Sequence, residues 1–333
     1  MRILMKLGIA LALGAALSFP AVAQDVYKDK TITIIVGFTP GGGYDAYARQ
    51  LARFLPDHIP GKPNVIVQNM PGAGSLTAVR AVGTTQPKDG TVMVIFNPGL
   101  ITQSVVEPEK VPIDFKRYVF VGTATADFRV CYGYGPNGVK TWEEMMSRKE
   151  FIIGGTGKGS GNYVNGATLR EVFNAPVKQI LGFPGSAEQR LAMERGELDG
   201  DCGTFSSIPD GWIRDKRIWP FVRFTQEKPA EIPDSARFIG DFVTRPEQRD
   251  VLSVLTADEL GRPFAMSRDV PAERLAILRK AFDALMADKS FRTEMARLQL
   301  PIYPLSGPQS DEVVAKMLQV RPDVAARARK IFE

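Results

Sequence analysis

The chain has 333 residues, with 42 Lys or Arg against 37 Asp or Glu, one histidine, two cysteines and a hydrophobic share of 44%. So few imidazoles and thiols leave no His- or Cys-based metal centre, and a formal charge of +5 without a concentrated basic stripe excludes nucleic acid as an expected partner. At roughly 100 to 200 residues per domain, the length predicts two domains, each able to bury its own core.

Residues 1–23 read as a signal peptide: Arg2 and Lys6 form a cationic head, residues 7–17 are an unbroken apolar run, and Ala21-Val22-Ala23 is a small-x-small cleavage pattern. Cleavage after Ala23 removes two positive charges, so 5 − 2 leaves +3 on the mature chain. The apolar run is shorter than the ~20 residues a membrane span needs, and no later segment is long and apolar enough. The expected destination is the periplasm.

Next in the chain, TITIIVGF (31–38) predicts a strand, and 45–55 a helix with Ala48, Leu51, Ala52 and Leu55 on one face. NVIVQN, GSLTAVRAVGT and TVMVIF continue as strand, helix and strand, the pattern of a parallel sheet covered on both faces. The alternation restarts near residue 127 with RVCYGYG, a helix over 141–146, FIIGG, a helix from about 161 to 173, VKQILGF, a helix over 186–195, and ELDGDCG. This second unit runs to about WPFVRFT (219–225), where QEKPAEIPDS is a polar connection. Beyond it the chain turns helical, as in 271–287, with Leu275, Leu278, Phe282 and Leu285 at helical spacing. Such a tail needs a sheet to pack on, and a return to the first domain is the economical solution. Cys131 and Cys202, 71 positions apart, are a disulfide candidate in an oxidising compartment, with two buried thiols as the alternative.

Two glycine-rich turns carry the chemistry. In FTPGGGYD the chain leaves a strand, turns through Gly41, Gly42 and Gly43 and enters a helix near Asp45, with Phe38 and Tyr44 beside the turn. Unpaired N–H groups of a first helical turn make an anion site, although the Asp45 carboxylate is able to cap them from within. The letters Gly41-x-Gly43-x-x-Ala46 also satisfy a dinucleotide fingerprint, but the acid expected about 20 positions on is absent, the strand ending in Val67, Gln68 and Asn69. No cofactor is expected. The second turn, GGTGKGSGN (154–162), offers the Thr156 and Ser160 hydroxyls, the N–H groups of Gly157 and Gly159, and the Asn162 carboxamide, all suited to a carboxylate; it lacks the Ser or Thr after Lys158 that a P-loop requires. Weaker turns of the same kind are NMPGAGS (69–75) and GFPGSAE, which brings Phe183, Pro184 and Gly185. Asn97, Asp127 and Asp201 are further candidates for a cleft between the halves.

Catalysis finds little support. Ser160 fails G-x-S-x-G, His58 is the single imidazole, and no metal-ligand spacing exists. An exported enzyme using Asp45, Asp127 or Asp201 as base is the competing class, and a sensor domain with identical binding physics is a third.

The segments ITIIVGFTPGGGYDAYARQLARFL, NVIVQNMPGAGSLTAVRAV, QPKDGTVMVIF, GTGKGSGN and LGFPGSAEQRLAMERGELD resemble, in order, the signature segments of the substrate-binding proteins of tripartite tricarboxylate transporters, the Bug-type periplasmic receptors. The resemblance covers nearly the whole mature chain. It implies an α/β fold of the two-lobed periplasmic binding protein kind, type II-like, with two α/β domains joined by a two-crossing hinge: one lobe of 24–126 plus 228–333, the other of 127–227. It implies a small carboxylate held between the lobes by turn backbone and hydroxyl groups, one clamp at Gly41 to Asp45 and the other at Thr156 to Asn162 with the turn from Phe183 to Ser186. It also implies no catalysis, a monomer, and membrane subunits of the transporter as partners. The chain departs from the family at Thr39-Pro40, at Asn162-Tyr163 where many members carry a His, and at GFPGS in place of an aromatic-Lys-Gly turn, positions that bear on ligand identity.

Overall fold

The computed structural model describes residues 26–126, 128–158, 160–226, 228–255 and 260–331; the signal segment lies outside them. The first sheet is seeded by β1 (Thr31–Val36), which pairs in parallel with β2 (Asn64–Asn69) and β3 (Val92–Ile95). Alternate β1 side chains enter different cores. Ile32, Ile34 and Val36 pack with Tyr47, Ala48 and Leu51 of α1 (Gly43–Phe54), while Ile35 packs with Ala78, Val79 and Val82 of α2 (Leu76–Thr84). From Ile34 to Val36 the strand is continuously apolar because both its faces are covered there. α3 (Gly99–Val106) and β4 (Tyr118–Thr123) complete this part.

The second sheet contains β5 (Val130–Tyr134), β6 (Phe151–Gly155), β7 (Val177–Leu181), β8 (Gly200–Asp201), β9 (Ile218–Arg223) and β10 (Arg237–Phe238), in the order β10-β9-β5-β8-β6-β7. Its helices are α4 (Trp142–Ser147), α5 (Gly161–Phe173), α6 (Ser186–Glu194), α7 (Asp210–Arg214) and α8 (Pro246–Leu255). The N-terminus of α4 is capped by Thr141, whose hydroxyl accepts the Glu144 N–H. Cys131 on β5 and Cys202 just after β8 form a disulfide between these neighbouring strands.

The chain then returns. β11 (Pro263–Ser267) inserts antiparallel between β3 and β4, followed by α9 (Ala272–Ala287), α10 (Lys289–Arg297), β12 (Leu305–Ser306) on the outer edge of β4, α11 (Gly307–Met317) and α12 (Pro322–Arg329). Two details differ from the sequence-based expectation. The first sheet, β12-β4-β11-β3-β1-β2, is mixed and not all parallel, because the returning strands run against β3 and β4. The return also falls later than residue 228: β10 is the edge of the second sheet, and Ile239 and Leu252 sit in that sheet's core with Phe151 and Phe221, whereas Leu260 is already in the first. Polar letters in QEKPAEIPDS mark a surface excursion, not a hinge. α12 packs against both α3 and α8, and its Ala328 shares one apolar cluster with Val106 and Tyr163, tying the two halves together behind the cleft.

Candidate functional site

The carboxyl ends of β1 and β6 face each other across a cleft whose enclosed volume is about 50 Å³. Phe38, Gly42, Gly43, Tyr44 and Asn97 line it from the first half. Thr156, Ser160, Asn162 and Asp201 line it from the second. Gly161, Ser186, Gln189, Thr204 and Ser207 join them; of these, Gly161 and Ser186 lay in turns expected to clamp a ligand. Gln189 was findable, since it stands three residues after Ser186 on the same helical face.

Three helices present their N-termini here, with Gly43 opening α1, Gly161 opening α5 and Ser186 opening α6. Neither α1 nor α6 has a side-chain cap, while Ser160 caps α5 by accepting the Tyr163 N–H at 3.3 Å. The α1 and α6 ends nearly touch: a Cβ on Gly42 would meet the Ser186 hydroxyl at 2.9 Å. Two positive dipole ends in one small space repel unless an anion lies between them.

Asp45 is buried but does not line the cleft. Its Oδ2 accepts the Gly41 N–H and Arg49 Nε, and its Oδ1 accepts Arg49 Nη2 and Asn69 Nδ2, all at 2.9 Å. Burial pushes this carboxyl up, but those hydrogen bonds outweigh it and hold Asp45 below the usual carboxylate range. Gly41, at φ +86°, provides the left-handed turn that lets its own N–H reach Asp45, and its carbonyl accepts Arg190 Nη2 from the second half at 2.9 Å. Gly41 and Asp45 thus build the jaw without lining the cavity. Asn69, standing where a ribose-binding acid would be, also donates to the Phe38 carbonyl at 2.8 Å.

Behind this jaw lies Arg262, fully buried on the returning segment. Its guanidinium stands 4.2 Å from the Tyr44 ring centre and Nη2 donates to the Ser206 and Ser207 hydroxyls at 3.2 Å each, so a positive charge sits beside Gly43 and links the halves. Nothing in the local sequence around Arg262 separates it from the many surface arginines.

In the second jaw Gln189 is 1% exposed; its Oε1 accepts Asn162 Nδ2 at 3.3 Å, while its Nε2 has no partner. Asn162 Nδ2 also donates to Asp201 Oδ1, which takes a second bond from the Cys202 N–H at 2.8 Å. The Thr156 hydroxyl is buried and unpartnered. Leaving such a group unsatisfied costs about 1–3 kcal/mol, which a bound acceptor would recover. Asp201 is pushed up to about 6 by burial, against the opposing bonds from Asn162 and Cys202 and the charge of Arg190.

The remaining candidates have other work. Gly157 lies against Ala73 and Gly74, so the NMPGAGS turn is a contact between halves. Gly185 abuts Thr39, whose hydroxyl donates to Glu188 Oε2 at 3.0 Å across the same seam. Phe183 packs against Gly154 and the adjoining core, and Pro184 is exposed. Asp199, just before β8, accepts the Ile152 N–H at 2.7 Å, fastening this strand to β6. Asp127 and Gly159 lie outside the described residues. His58 sits 3.7 Å from Asp288, far from the cleft in the first half's core wall, and no group of three metal-binding side chains occurs among the described residues. A larger cavity of about 780 Å³ lies between residues such as Phe128, Phe205, Leu300 and Tyr303, and among the described residues none of the expected anion-binding groups lines it. The small cleft, which gathers Thr156, Ser160, Asn162 and three helix N-termini, is the better candidate on its chemistry.

No family model matches the chain. BugT of Bordetella pertussis is 39% identical over 93 residues, 28% of this chain and 27% of BugT, so the match spans under a third of that curated relative. Among solved structures, the periplasmic binding protein BugD superposes with a TM-score of 0.74 at 17% identity, covering 92% of this chain and 98% of BugD. MatC from Rhodopseudomonas palustris with bound malate gives 0.70 at 18% identity, covering 91% and 99%. The fold is that of a two-lobed periplasmic binding protein. Part of the chain is thus similar in sequence to BugT, and its fold matches that of the periplasmic binding protein BugD.

Proposed function

We propose that the protein is a periplasmic receptor that captures a small carboxylate between a lobe of residues 24–126 and 260–333 and a lobe of residues 127–255, and delivers it to the membrane subunits of a tripartite transporter. The observation that carries this reading is the meeting of three helix N-termini at a cleft with buried, unpartnered Thr156 and Gln189 donors. An anion there accepts fixed N–H dipoles in a water-poor space, where such bonds strengthen. Malate bound to the similarly folded MatC supports the ligand class. The receptor acts as a monomer after cleavage behind Ala23, and performs no chemistry on its ligand.

A thermal-shift screen of small carboxylates against their neutral amides tests the reading. Binding stabilises by RT ln(1 + [L]/Kd), about 2.7 kcal/mol at a hundredfold excess over Kd. At least one carboxylate is expected to raise the melting temperature where its amide does not; equal shifts for acids and amides would sink the idea.

A further inference from the structure

The second jaw carries one group that a carboxylate alone does not explain. Asp201 is 7% exposed and lines the cleft beside the very donors suited to an anion. Its Oδ1 is occupied by Asn162 Nδ2 and the Cys202 N–H, whereas among the described residues nothing donates to Oδ2. The orientation of the row is fixed by chemistry. Asn162 must turn its Nδ2 toward the Asp201 carboxylate, that same nitrogen then demands the oxygen of Gln189, and Gln189 is left with Nε2 free. A free donor and a free acidic acceptor therefore stand at opposite ends of one carboxamide bridge. An unsubstituted carboxylate satisfies the Gln189 and Thr156 end but leaves Asp201 facing apolar carbon, or a second carboxylate it repels.

We propose that Asp201 Oδ2 reads a hydrogen-bond donor on the carbon next to the ligand carboxylate, so that the substrate class is small 2-hydroxy or 2-amino acids. Size agrees with this, since an enclosed volume of about 50 Å³ holds only a few heavy atoms unless the lobes part. Hydroxyl and ammonium share the required chemistry, a donor one carbon from the carboxylate, and differ in charge. The inference rests on the carboxylate-receptor reading above.

Calorimetric titration of the full mature protein with propionate, lactate, alanine and lactamide separates the two. Lactate or alanine is expected to bind at least tenfold tighter than propionate, and whichever of them does so identifies hydroxyl or ammonium. Asp201→Asn, which keeps the shape, removes a buried charge and turns a donor toward the ligand, is expected to bring the preferred ligand within threefold of propionate. Propionate binding as tightly as both lactate and alanine overturns this inference and leaves the carboxylate reading standing. Lactamide binding as tightly as lactate overturns the carboxylate reading, as does the absence of binding by all three acids, and the inference falls with it. Should the variant fail to fold, the wild-type ranking of the three acids still decides.

Discussion

In the first jaw the Asp45 carboxylate accepts four hydrogen bonds from Gly41, Arg49 and Asn69, all within its own lobe, whereas in the second jaw Gln189 Nε2 and Thr156 Oγ1 are buried without partners among the described residues and Asp201 takes both its bonds at Oδ1. Both begin as a glycine turn between a strand and a helix, and composition alone makes them equivalent. Their hydrogen bonds give them different tasks. The first is internally satisfied and supplies a rigid backbone with a fixed field; the second holds side chains whose needs only a ligand meets, and so sets what is bound.

The largest expected effect concerns what keeps the second jaw in place. Replacing Cys131 and Cys202 by Ala removes the covalent tie between β5 and the end of β8 beside Asp201, leaving only their strand pairing; for a loop of 71 residues the loss is about 4 kcal/mol in the chain-entropy description. Urea unfolding of the variant checks it, and an unchanged midpoint would mean the jaw is ordered without its tether.

Acid titration sharpens the contrast because the two aspartates shift in opposite directions. Asp201, raised from 3.8 to about 6, binds more protons in the folded than in the unfolded state between those values, so its contribution is greatest at low pH and declines as pH rises through the window, by up to about 3 kcal/mol. Arg190 and buried Tyr132 face it, and burial pushes the Tyr132 hydroxyl well above its ordinary range, away from this window. Asp45, held below its usual value, contributes stability above pH ~4 that is lost as pH falls through its folded pKa. Melting of the unliganded protein across pH should therefore peak near pH 4, and Asp201→Asn should flatten only the limb above the peak.

A wedge in the first jaw comes next. A Cβ at Gly43 would stand 2.4 Å from Ser207 Oγ and 2.8 Å from Arg262 Nη2, both of them held in the seam between lobes. Gly43→Val is expected to weaken ligand binding about a hundredfold, ~2.7 kcal/mol, by obstructing closure while the unliganded melting temperature stays within two degrees. A smaller test reverses that pattern: Asp45→Asn should cost about 1 kcal/mol of stability and change affinity less than twofold. If affinity instead drops tenfold at constant stability, the first jaw reads the ligand as well and the division of labour fails.

Much of the architecture is readable from local pattern. Short apolar runs such as TITIIV and FIIGG become β1 and β6, and the Ala48 and Leu51 face of α1 is buried as its spacing predicts. The direction of β11, the late return near residue 260 and the placement of β10 are not readable, because strand pairing is a choice among edges far apart in sequence. The same holds for the site. Gly43, Thr156, Asn162 and Asp201 announce themselves by strand-to-helix position, while Arg262 and Ser207 enter from segments with no distinguishing composition.

Glycine turns, helix starts and an apolar period are short-range properties, and they sufficed to define two α/β units with an anion-seeking turn in each. Whether a polar group in those turns is already satisfied depends on partners as many as 39 residues away. Asp45 lost its claim on a ligand when Asn69 and Arg49 folded onto it; Gln189 and Asp201 kept theirs when Asn162 joined them by one end only. Packing within each lobe, not the letters of either turn, separates the scaffold from the reader.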